Sequence, residues 1–138
     1  MIEELEETIE QVRVEVTTPV RIAPEKGTDE YYDQGLDQKN YYDGIVSRLR
    51  TLNEVTIKAF NDNANEVYSL LASMRTLLEA CNRRVASLKE SSFSEIIESS
   101  IEGLEEEADM LEENIDDFTA IHDRHSKNQR LQSLLSQL

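Results

Sequence analysis

The sequence predicts an all-α protein whose main body is a long antiparallel helical hairpin, similar to a coiled coil, preceded by an N-terminal arm. Residues 45–138 contain a single glycine, Gly103, and no proline. Glycine costs the interior of a helix about 1 kcal/mol and proline about 3 kcal/mol, so this composition favours nearly uninterrupted helices. Apolar residues in this region also recur three or four positions apart, which is the spacing of one helix face.

The N-terminal unit, residues 1–42, combines two different apolar rhythms. Spacings of three and four predict a short helix at about 2–11. From Val12 to Ile22 the apolar residues instead occupy every second position and are mostly β-branched, which favours a strand there. A lone strand has no partner inside a hairpin of helices. We therefore expect it to pair with its own second half, another copy or another protein, with an irregular extended arm as the alternative.

A tyrosine-rich loop is predicted to complete this unit. The tripeptide Tyr-Tyr-Asp occurs at residues 31–33 and again at 41–43. Tyrosine combines a flat apolar ring with a polar tip, which suits an interface, although these rings could equally cap the end of a bundle. The candidate partner-docking residues are Val12, Val14, Val16, Val20, Ile22, Tyr31, Tyr32, Tyr41 and Tyr42.

The second unit, residues 43–138, is predicted to form the hairpin from helices at about 43–89 and 93–137. The connecting turn, KESSFS, is short and polar, and Ser92 with Glu95 matches a capping box at the start of the second helix. Heptad-spaced apolar residues mark one face of each helix. The candidate packing residues are Val46, Leu49, Phe60, Val67, Leu70, Met74, Leu77, Cys81, Ile97, Ile101, Leu104, Leu111, Ile115 and Phe118.

The matched lengths of the two helices predict antiparallel pairing and self-association. Each is about 46 residues, or roughly 70 Å at 1.5 Å per residue. In the expected register Leu77 faces Leu104. The apolar face is wider than a two-stranded coiled coil needs, so further surface must cover it. We expect a homo-oligomer, most simply a dimer forming a four-helix bundle, with the N-terminal helix as a partial cover.

Charge and composition exclude several classes of partner. A net charge of −15 disfavours binding to nucleic acid or to anionic membranes. No apolar run approaches the roughly 18 residues of a membrane span, and the acidic start, MIEELEETIEQ, is unlike a signal peptide. The single cysteine, Cys81, is expected to be a buried small hydrophobe. These features predict a cytoplasmic protein, or a virion-associated one after assembly.

His122 and His125 lie on or beside the packing face of the second long helix. We interpret them as polar residues that fix register and make the interface weaker at low pH, because a proton near the core is costly. A metal site formed with Asp117 and Asp123 is the weaker alternative, since no second pair of ligands accompanies them. No metal or other cofactor is therefore expected.

The sequence predicts that the protein is not an enzyme. It contains no Gly-rich phosphate loop, no Gly-x-Ser-x-Gly motif and no Cys-x-x-Cys pair, and the acidic run at 105–117 reads as a solvated helix face. The first hypothesis is an oligomeric structural or assembly protein, for example a component of a phage virion or secretion apparatus, acting through helix pairing and the N-terminal arm. The alternative is an acidic helical inhibitor or chaperone that binds a basic surface of a partner protein.

Overall fold

The computed structural model describes residues 2–18 and 25–137, and in these ranges the chain forms five helices and no strand. The prediction of an all-α protein is confirmed. In chain order the elements are α1 (Ile2–Thr17), α2 (Asp29–Asp62), α3 (Ala64–Tyr68), α4 (Leu71–Glu90) and α5 (Glu98–Ser136).

The four long helices form a closed bundle within one chain. α1 and α5 each pack against both α2 and α4. α5 runs parallel to α2. The Tyr31 hydroxyl, near the start of α2, donates a hydrogen bond to the Ser92 carbonyl just before α5, and Phe60, near the end of α2, stacks on Phe118 further along α5. The surface that the sequence assigned mainly to a second copy of the chain is therefore supplied largely by α1 and the first half of α2.

The helix predicted at about 43–89 is broken, and this break changes the architecture. α2 ends at Asp62, Asn63 has an extended backbone (φ −155°, ψ 91°), and α4 starts at Leu71 after the short α3. Asn and Asp side chains compete for backbone hydrogen bonds, which favours helix ends at such residues. The chain reverses direction here, so the predicted single rod contributes two antiparallel helices.

α4 and α5 run antiparallel, as the predicted hairpin requires, but in a different register. Lys89 pairs with Glu105, and the Arg75 guanidinium donates a hydrogen bond to the Thr119 hydroxyl at 2.9 Å. This pairing is displaced by several turns from the register expected above. The reason lies in the connection between the two helices.

The connection is longer and more buried than the predicted turn. Residues 91–97 form successive turns, and α5 begins only at Glu98, with no side-chain cap, so the predicted capping box does not form. Phe93 and Ile97 are buried in this connection. The Phe93 ring stacks on Tyr31 at a centroid distance of 5.2 Å, which ties the connection to the start of α2.

α1 continues to Thr17, so the strand predicted at about 12–22 does not form over residues 12–17. The residues that α1 buries lie on one helical face: Leu5, Ile9, Val12 and Val16. Packing of this face against α2 and α4 outweighs the weak strand preference of valine. Val14 lies off the face and is exposed. Residues 19–24, which include Val20 and Ile22, fall outside the described residues.

The predicted tyrosine-rich loop is instead the beginning of α2. The Thr28 hydroxyl caps the helix by accepting a hydrogen bond from the Tyr31 backbone amide at 3.2 Å. Gly35 permits close packing here, since a Cβ at this position would lie 2.5 Å from Ile96 Cδ1. α2 runs without interruption across residues 42 and 43, where the sequence placed a boundary between two units.

The core of the bundle contains the predicted packing residues of both long segments. All are buried except Phe60, which is partly buried against the same cluster. The buried members are Val46, Leu49, Val67, Leu70, Met74, Leu77, Cys81, Ile97, Ile101, Leu104, Leu111, Ile115 and Phe118.

Candidate functional site

α5 is 39 residues long, and among the described residues its buried positions all lie in the first half, from Ser100 to Phe118. Its last buried residue is Phe118, whose ring stacks on Phe60 at a centroid distance of 4.1 Å. From Thr119 to Gln137 no residue is buried. We name residues 120–136 the α5 extension. At 1.5 Å per residue it projects about 25 Å beyond the bundle.

Two contacts hold the root of the α5 extension. Arg75 on α4 donates to the hydroxyl of Thr119, and the His122 ring packs edge-on against Tyr68 of α3 at a centroid distance of 4.4 Å. Tyr68 in turn packs against Phe60. The direction in which the α5 extension leaves the bundle is therefore set by α3 and α4.

The α5 extension exposes four large apolar side chains. Ile121 is 37% exposed, and Leu131, Leu134 and Leu135 are each more than half exposed, at 56, 62 and 58%. At 3.6 residues per turn these positions share one side of the helix. Single exposed leucines are common on protein surfaces, but a stripe on a helix that nothing else covers is typical of an interaction site.

Charge changes sign along α5 where the covered half ends. Residues 92–118 contain 11 acidic residues and no basic residue. The α5 extension contains three basic residues, Arg124, Lys127 and Arg130, against one acidic residue, Asp123. The extension therefore lacks the strong negative charge of the covered half of α5.

The two candidate histidines both lie on the α5 extension but in different surroundings. His122 contacts Tyr68, and its Nδ1 lies 3.7 Å from Asp123 Oδ1. His125 is exposed, and its Nε2 lies 3.1 Å from the side-chain nitrogen of Gln129. Among the described residues, no three His, Cys, Asp or Glu side chains converge as a metal site would require. A lower strength of association at low pH stays a prediction for these residues.

The structure divides the candidate docking residues of the N-terminal unit between core and surface. Val12, Val16, Tyr31 and Tyr42 are buried, and burial raises the pKa of the Tyr42 hydroxyl. The hydroxyl of Tyr41 donates to the backbone carbonyl of Glu15 at 2.6 Å. Val14 and Tyr32 are about half exposed (51 and 54%) and lie on different helices.

Two buried groups with shifted acidity serve the packing of the bundle. Burial raises the pKa of the Cys81 thiol to about 12. Burial also raises the pKa of Glu107, whose Oε1 lies 3.9 Å from Arg50 and whose Oε2 has no hydrogen-bond partner. The Asn53 amide donates to the Glu107 backbone carbonyl at 3.1 Å, so this polar pair joins α2 to α5.

An apolar groove between α1 and α2 is the other concave surface of interest. It has a volume of about 400 Å³ and is lined by residues of both helices, which are apolar (Leu5, Leu52, Val55 and Ala59), hydroxyl-bearing (Thr8, Ser47 and Thr51) or charged (Glu4 and Arg48).

The α5 extension was missed as a separate feature by the sequence interpretation, although two signals mark it. The apolar positions change phase after Phe118, from the buried spacing that ends there to Ile121, Leu131 and Leu135. The charge also changes sign near Arg124. Neither the change of phase nor the change of charge locates the end of the bundle by itself.

Comparison with protein-family models, with curated proteins and with solved structures finds no match to this chain in any of the three. Within the part of the chain that the structure describes, no helix is long and apolar enough to cross a membrane. The class of the protein is thus defined by its own features: an acidic all-α bundle with one helix that extends beyond it.

Proposed function

We propose that this protein is a non-enzymatic assembly protein that associates with further copies of itself through the α5 extension. The observation that supports the proposal is the leucine stripe at Leu131, Leu134 and Leu135, which no element within residues 2–18 and 25–137 covers. An unsupported helix of this length is marginal in water, so pairing would stabilise its helical form.

The N-terminal arm has a smaller role in this proposal than in the sequence hypothesis. Among the candidate docking residues that the structure describes, four side chains are buried within the bundle, Tyr41 is 36% exposed, and Val14 and Tyr32 are about half exposed. We therefore place the association surface at the opposite end of the chain. A place in a phage particle or secretion apparatus stays a hypothesis based on architecture alone.

Light scattering over a range of protein concentrations tests the proposal. We expect the mass to rise above that of one chain with increasing concentration, and to stay at one chain for a version ending at Asp123. A double variant, Leu131→Gln with Leu135→Gln, should also stay monomeric. Leu36→Gln is the matched control, because Leu36 is equally exposed (54%) but lies on α2. A full-length chain that is monomeric throughout contradicts the proposal.

A second candidate function is the binding of a basic partner surface by the acidic face of α5. Glu106, Asp109, Glu113 and Asp116 are exposed on the covered half of this helix. Binding through such a face weakens steeply with ionic strength, because exposed charges are screened beyond about 8–10 Å at physiological salt. Pairing through the leucine stripe does not share that dependence, so a salt titration separates the two candidates.

A further inference from the structure

The apolar stripe of the α5 extension follows the heptad rules of a particular kind of helix pair. Ile121, Asn128 and Leu135 recur at intervals of seven, and Leu131 lies three residues after Asn128. In heptad notation the first three are a positions and Leu131 is a d position. A β-branched residue such as Ile at a, Leu at d and a single Asn at a are typical of a parallel two-stranded coiled coil, in which the Asn fixes register and strand number.

The stripe also lies on the side of α5 where a second copy can approach. The residues that α5 buries in the bundle, such as Leu111, Ile115 and Phe118, occupy one side of the helix. At 3.6 residues per turn, or 100° per residue, Leu131 and Leu135 lie about 170° and 130° from the middle of this side, and Ile121 lies about 90° from it. Two copies can therefore pair along their stripes while their bundles lie outward, away from the pair.

Resting on the proposed function, we propose that the partner of the α5 extension is a second copy of this chain in parallel orientation, with the two Asn128 side chains facing each other. Asn128 is exposed on the single chain, and its equivalent in a second copy offers both a donor and an acceptor. Arg124, at the other d position, keeps its charged end in solvent beside the pair.

The size and charge of the contact predict a weak dimer. A strip about 25 Å long and about 10 Å wide is smaller than the roughly 800 Å² per partner of a standard stable interface. Parallel pairing also brings the two acidic bundles to the same end. Because salt screens this repulsion, we expect the dimer to tighten as ionic strength rises. If the basic extension instead docked on the acidic bundle of another copy, that complex would loosen as ionic strength rises.

Cysteine cross-linking tests the orientation. The native thiol of Cys81 is buried, so an added cysteine on the extension is the accessible one. In the parallel pair, Leu135→Cys and Asn128→Cys should each form a disulfide-linked dimer under mild oxidation. In an antiparallel pair centred on residue 128, two copies of residue 135 lie about 21 Å apart, far beyond disulfide range. Leu36→Cys, on α2, is the control for random collision.

A second measurement uses Asn128 itself. Replacement by leucine should strengthen association by at least tenfold and add species larger than a dimer, because the buried polar pair limits both. Cross-linking at Asn128→Cys without cross-linking at Leu135→Cys would overturn the parallel arrangement while leaving self-association intact. Association that loosens with salt would overturn it as well. A mass of one chain at every concentration would overturn the proposed function, and this inference with it.

Discussion

The boundary between the bundle and the α5 extension predicts that two changes only a few residues apart have very different effects on stability. Phe118 is 4% exposed and stacks on Phe60. Replacing a buried Phe by Ala removes its transfer free energy and leaves a cavity, so Phe118→Ala should lower the free energy of unfolding by about 3–5 kcal/mol. For a chain of this size 1 kcal/mol corresponds to about 3–5 °C, so the melting temperature should fall by roughly 10–20 °C.

Removal of residues 124–138 should instead leave the bundle nearly unchanged. The described residues of this segment are exposed or only partly buried, and the contact of His122 with Tyr68 is retained. We expect a change of less than about 1 kcal/mol, the usual range for surface positions. Leu131→Ala, a substitution of similar chemistry on the exposed part of the same helix, is the matched control and should also be nearly neutral.

Urea and thermal unfolding followed by circular dichroism at 222 nm measure both variants. The comparison belongs at low protein concentration, because association stabilises the folded chain by mass action. If the truncated chain lost as much stability as Phe118→Ala, the α5 extension would be part of the cooperative fold. The reasoning that assigns it to a partner would then be refuted.

Three further predictions concern the bundle itself. Tyr31→Phe should cost about 1 kcal/mol in urea denaturation, because the stacked ring is kept and only the hydrogen bond to the Ser92 carbonyl is lost; no change would mean that this bond is not formed in solution. Burial raises the pKa of Glu107, so its ionisation favours the unfolded chain as pH rises above the usual Glu range. Glu107→Gln should therefore raise the urea midpoint at pH 7, with a gain that shrinks as pH falls toward about 4; a gain that is equal at both pH values would contradict this assignment. Cys81, buried and with its pKa raised to about 12, should react with a thiol reagent at pH 8 only after denaturant is added; prompt reaction of the native chain would show that the core opens readily at α4.

Heptad-spaced residues coincide with buried positions because the spacing of apolar residues reflects which helix face is removed from water. Residues such as Leu77, Leu104 and Leu111 recur on a helical face, and that face is buried whichever helices cover it. The spacing does not identify which helices bury the face. It is the same whether a second chain buries the stripe or the same chain buries it after folding back.

The fold-back at Asn63 decided the architecture and was visible only as a polar interruption. A few polar residues inside a long helix cost little by propensity alone, so the pattern allowed a continuous rod. The break is favoured by long-range packing: Phe60, Tyr68 and Phe118 form an aromatic cluster at the corner. Such contacts join residues far apart in the chain, and local spacing does not encode them.

The valines of α1 were hard to assign for a different reason: two local patterns, one helical and one of a strand, overlap there. Val12 and Val16 fit both a helical spacing and an alternation of two, and β-branching favoured the strand. The buried positions Leu5 and Ile9 extend the helical spacing over about three turns, and a longer matching face buries more apolar surface. The strand interpretation would have required Val14 to be as buried as its neighbours, whereas it is exposed.

α5 carries both a buried apolar face and an exposed apolar face on one helix. Up to Phe118 its apolar positions match a cover that the chain itself provides, and from Ile121 onward they match a face that the chain leaves open. A helix that served only the bundle would gain nothing from Leu131 and Leu135, since each exposed leucine adds to the tendency to aggregate without adding to the core. At 100° per residue Ile121 lies only about 60° from Phe118 around the helix, whereas Leu131 and Leu135 lie about 140° and 100° from it. The exposed leucines therefore point away from the face that packs in the bundle, which is the geometric basis of the proposed pairing with a second copy.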